Sequence, residues 1–442
     1  MTATTPLKVI IIGGGPIGLT LAQILTSAAI DFLILERRST VTPEEGAGIA
    51  IGPTSFRLYD QLGLLPLMEQ ISTPIPHKHV LQPDGKVYNS YEFHLRACHG
   101  RAMAFLHRLD LVTTLYSTLP DSSKTKIHTG KSLADITLTP TGVTVTCTDG
   151  SSYNGTLIIG ADGVHSKTRR IMQALSSAPE SETLPFETTF QGLFGNVPRL
   201  SLPGQEEIEP GHDWECHSGG LSSQFFVGRE RGWFIIYRPL PGGSTRERID
   251  YTDEDIKQFA EDVKDMHVTD KLTFGEVFEC VNKAGLTQLQ EGAVKDRSWK
   301  RIALVGDACD KITPNVGLGY NNGVLDVIVL GNLLKRLNES GEQVTEEAVE
   351  RVFREYQAER KEFSEKVDGA ARGVIRTVTH TGWMKYVLDR WINPTLGLDK
   401  LYGSKVMGPL MAKQQVLEWL EEKNRIDGTI TWAYKGLVIT NV

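Results

Sequence analysis

The stretch from Leu7 to Gly18 restricts the fold more than any other part of the chain. A short apolar run, Leu7 to Ile12, ends in Gly13-Gly14-Gly15-Pro16-Ile17-Gly18, after which Leu19, Leu21, Ala22, Leu25 and Ala28 recur at roughly helical spacing. Strand, tight turn and helix follow one another. A second apolar run, Phe32 to Leu35, stops at Glu36, at the separation from Gly13 where a carboxylate reaches an adenosine ribose. In this β-α-β unit Gly13 permits the turn, Gly15 lets backbone N–H groups approach a pyrophosphate, and Gly18 allows helix to pack on strand. The helix N-terminus faces the anion. Glu36 accepts hydrogen bonds from ribose hydroxyls and would repel a ribose 2′-phosphate, so the site is expected to hold FAD or NAD rather than NADP.

Later segments carry two more strand ends marked by glycine. Val143 to Thr146 and Thr156 to Ile159 read as strands, the second leading into Gly160-Ala161-Asp162-Gly163-Val164-His165-Ser166-Lys167-Thr168-Arg169. Arg301 to Val305 forms another, ending in Gly306-Asp307-Ala308. One ligand touching all three ends requires a domain assembled from separated segments. Between them, His79 to Phe93 has a Pro-Asp-Gly turn between strand-like runs, and Gln224 to Pro239 pairs Phe225-Phe226-Val227 with Trp233 to Tyr237 across Gly228 to Gly232. These predict an antiparallel sheet inserted into an α/β dinucleotide domain. Val344 to about Arg372 is charged and helical in pattern, with Phe353, Tyr356, Phe363 and Val367 on one face, and the remaining chain holds helical pieces such as Gln414 to Lys423. The expected division is 1–74, 98–183 and 292–370 for the dinucleotide domain, 75–97 and 184–291 for the inserted domain, and 371–442 for a C-terminal helical region.

Composition narrows the function. With 47 Lys and Arg against 54 Asp and Glu the chain carries a net charge of −7 without long blocks of one sign, which argues against nucleic acid as a partner. Its 5 cysteines are scattered, with neither C-x-x-C spacing nor a His partner at metal-ligand distance, so no metal is expected and a reducing compartment fits. No basic and apolar leader precedes the first strand, and no run approaches the ~18 apolar residues of a membrane span. A cytoplasmic protein, with at most peripheral membrane contact, is the expectation.

The three motifs in this order resemble the class A flavoprotein monooxygenases, which share the p-hydroxybenzoate hydroxylase fold. Gly13-x-Gly15-x-x-Gly18 matches the FAD pyrophosphate turn, Asp162-Gly163-x-x-Ser166-x-x-Arg169 the DG motif, and Gly306-Asp307 the GD motif, extended by Pro314-Asn315-x-Gly317-x-Gly319. Gly46 to Pro53, Leu106-His107-Arg108-x-x-Leu111 and Lys311 to Asn315 look most like the fungal paxilline-epoxidase-type enzymes of indole diterpene and meroterpenoid pathways. The resemblance implies an FAD-binding Rossmann-type domain, an inserted antiparallel substrate domain and a helical C-terminal region. It also implies Glu36 on the adenosine ribose with Arg37 beside it, Ala50 and Arg108 beside the cofactor, Asp307 on the ribityl chain, backbone N–H groups of Gly317 to Gly319 on the flavin pyrimidine, and Tyr320 at the flavin end. Asp162 would order the route by which nicotinamide meets flavin, and Arg169 would tie that loop down.

The activity so implied is epoxidation or hydroxylation of a bulky apolar natural-product intermediate, with O2 activated as a flavin C4a-hydroperoxide. NADPH would be a transient co-substrate, since only one Rossmann fingerprint is present. Three departures from the family pattern stand out. Gly306-Asp307 is followed by Ala308-Cys309-Asp310 rather than Ala-His, and Leu318 replaces Gln between Gly317 and Gly319. Where relatives carry an Arg and, later, a Tyr in the substrate domain, this chain offers Gln191 and then Cys216 or His217, leaving Gln191 and His217 as catalytic candidates. Cys309 is expected as a small buried hydrophobe, and Asp310 is expected to face solvent or pair with Lys311. Aromatic hydroxylation, or a flavin-binding protein that has lost oxygenation and acts as a non-oxidative cyclase or scaffold, are the alternatives.

Overall fold

The computed structural model describes residues 6–43, 47–178 and 184–437, so Gly46 of the quoted motif lies outside the described residues. The opening β-α-β unit forms as its pattern predicts. Strand Lys8–Ile12 pairs in parallel with Asp31–Leu35 on one side and Leu157–Gly160 on the other, and Leu157–Gly160 pairs in turn with Ile302–Leu304. All three glycine-marked strand ends therefore lie side by side at one edge of a six-stranded sheet. Helix Pro16–Ser27 starts with Gly15 as its N-cap and Pro16 in its first turn. Its Leu19, Leu21, Ile24 and Leu25 are fully buried, each contributing about 1.5–3 kcal/mol.

Two glycines at this turn have no substitute. Gly13 has φ +106°, and a Cβ there would lie 2.6 Å from the Ala161 carbonyl oxygen. A Cβ on Gly18 would lie 2.0 Å from the Gly13 oxygen. The turn can close only because both lack side chains.

Helices Gly319–Glu339 and Glu346–Val378 cover the same face of the sheet as Pro16–Ser27, and together they form the largest apolar core. The other face carries the antiparallel meander Leu133–Thr139, Gly142–Cys147 and Ser152–Gly155. The inserted region forms an eight-stranded sheet containing His77–Leu81, Val87–Glu92, Glu187–Pro198, His212–Ser218, Leu221–Val227, Arg231–Pro239 and Lys283–Ala293. Its pairing is antiparallel except between His212–Ser218 and His77–Leu81, which run parallel. The eighth strand is Asp310–Lys311, which leaves the Gly306–Asp307 turn and pairs with Gly292 and Ala293. Helices Asp253–Asp262 and Phe274–Glu279 back this sheet around Phe259, Phe274 and Phe234.

The C-terminal part departs from its pattern in two ways. Helix Glu346–Val378 continues past Arg372, and short helical turns follow over Trp383–Ala412. Gln414 to Lys423, expected as a helix, is instead an irregular strap. Its backbone is held by side chains of other elements: Leu417 N–H donates to Gln61 Oε1 and Glu418 N–H to Asn332 Oδ1, while Asn332 Nδ2 donates to the Val416 carbonyl. Tertiary hydrogen bonds have replaced the intrahelical ones that the local pattern favoured.

Candidate active site

The glycine-marked edge of the six-stranded sheet opens into a cavity of about 1610 Å³ that continues across the inner face of the eight-stranded sheet. A single small-molecule site is roughly 300–1,000 Å³, so this one has room for a dinucleotide and a second molecule. Gly13, Gly15, Glu36, Arg37, Ala50, Arg108, Asp162, Asp307, Pro314, Gly317, Gly319 and Tyr320 all line it, as does His217. Gly18 does not, since it is buried in the helix–strand contact.

The cofactor end has the shape and donors of a dinucleotide cradle. A Cβ on Gly15 would meet only Arg108 Nη2, at 3.9 Å, so the space above the helix N-terminus is open. Glu36 is buried and accepts the Gly14 N–H at 2.7 Å on one oxygen and the Arg38 N–H at 2.8 Å on the other. Each carboxylate oxygen can accept a second bond, which leaves capacity for ribose hydroxyls. FAD fits these residues.

The DG loop is a braced cap. Asp162 accepts the Ser166 hydroxyl on one oxygen and the Lys167 and Thr168 N–H groups on the other, while Ser166 Oγ accepts the Arg169 N–H, closing the start of helix Lys167–Leu175. Arg169 donates to the Val164 carbonyl and to the Ala308 carbonyl, both at 2.8 Å, joining the DG loop to the GD turn. Burial lowers its pKa to about 10. Two residues not foreseen complete the frame. Asp326 accepts the Gly306 N–H at 2.9 Å, and Asn321 donates to the Ala50 and Gly317 carbonyls, both at 2.9 Å. Asp326 is the lone acid in the apolar run Val324 to Leu334, and that isolation was its available signal. Tyr320 turns its hydroxyl toward Thr20 and Tyr59, and burial pushes its pKa up to about 12.

Asp310 departs from expectation. It neither faces solvent nor pairs with Lys311; it is buried against Arg297 and accepts from Asn322 Nδ2, whereas Lys311 pairs with Asp307 at 2.5 Å. A carboxylate taken out of water needs a fixed cation, and the Arg297 guanidinium bridges Asp310 and Asp326, with Arg360 on the far side of Asp326. Burial raises the Asp310 pKa against the pull of Arg297. Cys309, Asp310 and Asp326 are close enough to share a metal ion, but the two guanidiniums already supply the positive charge there. Cys309 is fully buried.

At the substrate end the two catalytic candidates part company. Gln191 is buried outside the cavity lining, where its amide oxygen faces Arg238 at 3.1 Å and its amide nitrogen Tyr251 at 3.2 Å. Strand alternation turns it away from the chamber, so it is not brought to the site. His217 lies in the cavity wall. Its Nε2 is 2.9 Å from Glu215 and its Nδ1 is 3.0 Å from Asp389, which also accepts the Tyr88 hydroxyl and bonds His380, both at 2.8 Å. Burial alone would lower the His217 pKa, but the two carboxylates outweigh it and hold it at about 9. Lys78 pairs with Glu215 at 2.7 Å. Burial and the neighbouring Glu215 raise the Asp213 pKa above the ordinary carboxylate range, against the pull of Lys78. Asp213, Glu215 and His217 alternate along one strand and share a face, a readable signal; Tyr88 and Asp389 are added by tertiary folding alone.

Because the folded pKa of His217 is above its unfolded value of about 6.5, its stabilisation is complete below that value and is lost as pH rises through about 9. His217→Asn removes the cation shared by two buried carboxylates and should cost about 3–5 kcal/mol near pH 6. Thermal melts of both proteins should converge above pH 9, and a constant gap would exclude a cationic His217.

One wall of the chamber is apolar. Phe93, Phe105, Phe226, Met103, Leu286 and Leu289 line it. Of the hairpin aromatics, Phe226 and Tyr237 face the chamber, while Phe225 and Phe234 pack in the core behind the sheet and Trp233 against Phe105.

A dinucleotide cleft that runs into a large chamber with an aromatic wall is the arrangement of an FAD-dependent enzyme with room for a second molecule beside its cofactor. Residues 6–371 match the family described as FAD binding domain. The chain belongs to that family and is an FAD-dependent monooxygenase. It is 34% identical to the FAD-dependent monooxygenase srdH of Neurospora crassa over 98% of this chain and 99% of that one. To the FAD-dependent monooxygenase nodM of Hypoxylon pulicicidum it is 32% identical, over 95% and 90%. Among solved structures, HpxO of Klebsiella pneumoniae complexed with FAD and uric acid superposes with a TM-score of 0.73 at 20% identity, covering 90% of this chain and 95% of that one. A salicylate hydroxylase substrate complex does so with 0.69 at 19%, covering 92% and 98%. These structures share the fold.

Proposed function

We propose that this monooxygenase uses NAD(P)H and O2 to epoxidise or hydroxylate a bulky apolar intermediate of fungal secondary metabolism, in the cytoplasm or at a membrane facing it. The observation that carries the reading is the continuity of the cavity, from the Gly15 and Glu36 cradle to a chamber walled by Phe93, Phe105 and Phe226. Glu36, Arg37, Ala50, Arg108, Asp307 and the Pro314 to Tyr320 loop would hold FAD, which when bound supplies the activation of O2. The chain's own work lies around it. The aromatic wall takes up an apolar molecule and keeps water out, which protects a reactive oxygen donor from wasteful breakdown. Gln224 joins that wall to the cofactor loop, donating to Glu215 and to the Asn315 carbonyl at 3.1 Å. His217, fixed between Glu215 and Asp389, keeps the polar side of the chamber charge-balanced and positions Tyr88 beside the substrate.

The test is product formation under labelled oxygen gas. One labelled atom per product, with NAD(P)H oxidation stimulated by substrate, is expected. Unlabelled product formed at full rate without NAD(P)H would overturn the oxygenase reading in favour of a non-oxidative cyclase.

A further inference from the structure

The short helical turns over Trp383–Met407 carry large apolar side chains on both of their sides. Leu388, Leu398, Tyr402 and Met407 line the cavity. Outward, Trp383 and Trp391 are 75% and 64% exposed, and Leu396 and Leu401 66% and 53%. Large side chains this bare cost solvation in water, and their clustering within one segment marks a surface that meets another phase. We infer that this segment docks the enzyme on the surface of an anionic phospholipid bilayer, with the cavity wall lying just above the acyl boundary.

Three observations favour a bilayer over other occupants. The bare residues are Trp, Tyr and Leu on short helical turns, the set that settles at a membrane interface. Lys400 and Lys405 are exposed among them, against one exposed acid, Asp399, whose carboxylate is held by Asn393 Nδ2 at 2.6 Å, although the chain as a whole carries −7; Lys385 lines the cavity and Arg390 lies over the Tyr88 ring. Anionic headgroups complement that charge, whereas pairing two copies of this face would set Lys against Lys. Among the described residues no helix is long and apolar enough to cross a membrane, so the segment lies on the surface. The inner side of the same segment, through Leu388, Leu398, Tyr402 and Met407, walls the chamber, which gives a bilayer-dissolved apolar substrate a short path inward; that route rests on the function proposed above, while the docking does not.

The full-length, FAD-loaded protein is mixed with vesicles of phosphatidylcholine, with and without phosphatidylserine, and sedimented. Binding is expected, tighter with phosphatidylserine and weakened by salt, with a blue shift of tryptophan emission. The combined variant Trp383→Ser, Trp391→Ser, Leu396→Ser, Leu401→Ser should keep its FAD and melting temperature and bind at least about tenfold more weakly. Lys400→Glu and Lys405→Glu should each remove about fivefold from the phosphatidylserine preference. Wild-type protein that sediments with neither vesicle overturns the proposal. So does concentration-dependent self-association, lost in the combined variant, in place of vesicle binding. Binding is read without turnover, so failure of the labelled-oxygen test leaves it standing.

Discussion

Glu36→Ala should purify colourless. Its carboxylate holds the Gly14 and Arg38 N–H groups and keeps acceptor capacity that we propose takes the ribose hydroxyls. A hydrogen bond to a charged group is worth about 1.5–3 kcal/mol; losing two to the ribose hydroxyls would weaken FAD binding by about 10²- to 10⁴-fold. Flavin absorbance per protein measures this directly, and full yellow occupancy would remove Glu36 from the cofactor site. Gly15→Val provides the contrast. Its side chain enters open space, so the protein should fold and melt normally while the pyrophosphate is shut out. Loss of the fold in Gly15→Val would mean that the space serves packing instead.

Arg297→Met should be among the most destabilising single changes away from the cofactor. It leaves Asp310 buried with no cation of its own, at a cost of about 3–5 kcal/mol. The deficit should be largest near neutral pH and shrink toward roughly pH 4, where a buried carboxyl keeps its proton at little cost. Adding Asp310→Leu should recover most of the loss, since an apolar pair replaces an ionic one. Denaturant melts of the three proteins test the series, and an unrecovered double variant would show that Arg297 acts through its stem packing alone.

What the sequence reveals follows from how local the physics is. The β-α-β unit around Gly13 to Gly18, with its second strand stopping at Glu36, was legible because a tight turn, a helix N-terminus and a strand end are set within a few dozen residues. The hairpin aromatics alternate, so Phe226 and Tyr237 could be separated from Phe225 and Phe234 in kind, though not residue by residue. Asp310 could not be read: its partners Arg297 and Asn322 meet it only because the GD turn folds back beneath the Gly319–Glu339 helix. The 414–423 strap fails for the same reason, since Gln61 and Asn332 replace its helical bonds from far along the chain. Gln191 lay at the right place in sequence order and on the wrong face of its strand.

The strand Asp310–Lys311 has a consequence for recombination among relatives. It is the last rung of the substrate sheet, yet it is also the outgoing limb of the turn that carries Asp307. A crossover between Lys283–Ala293 and that turn would therefore graft one parent's sheet onto the other's rung, misaligning the flavin turn whenever the two registers differ. The transferable unit ends after Lys311, and libraries cut there should yield coloured, folded chimeras where cuts at the apparent domain boundary near residue 292 do not.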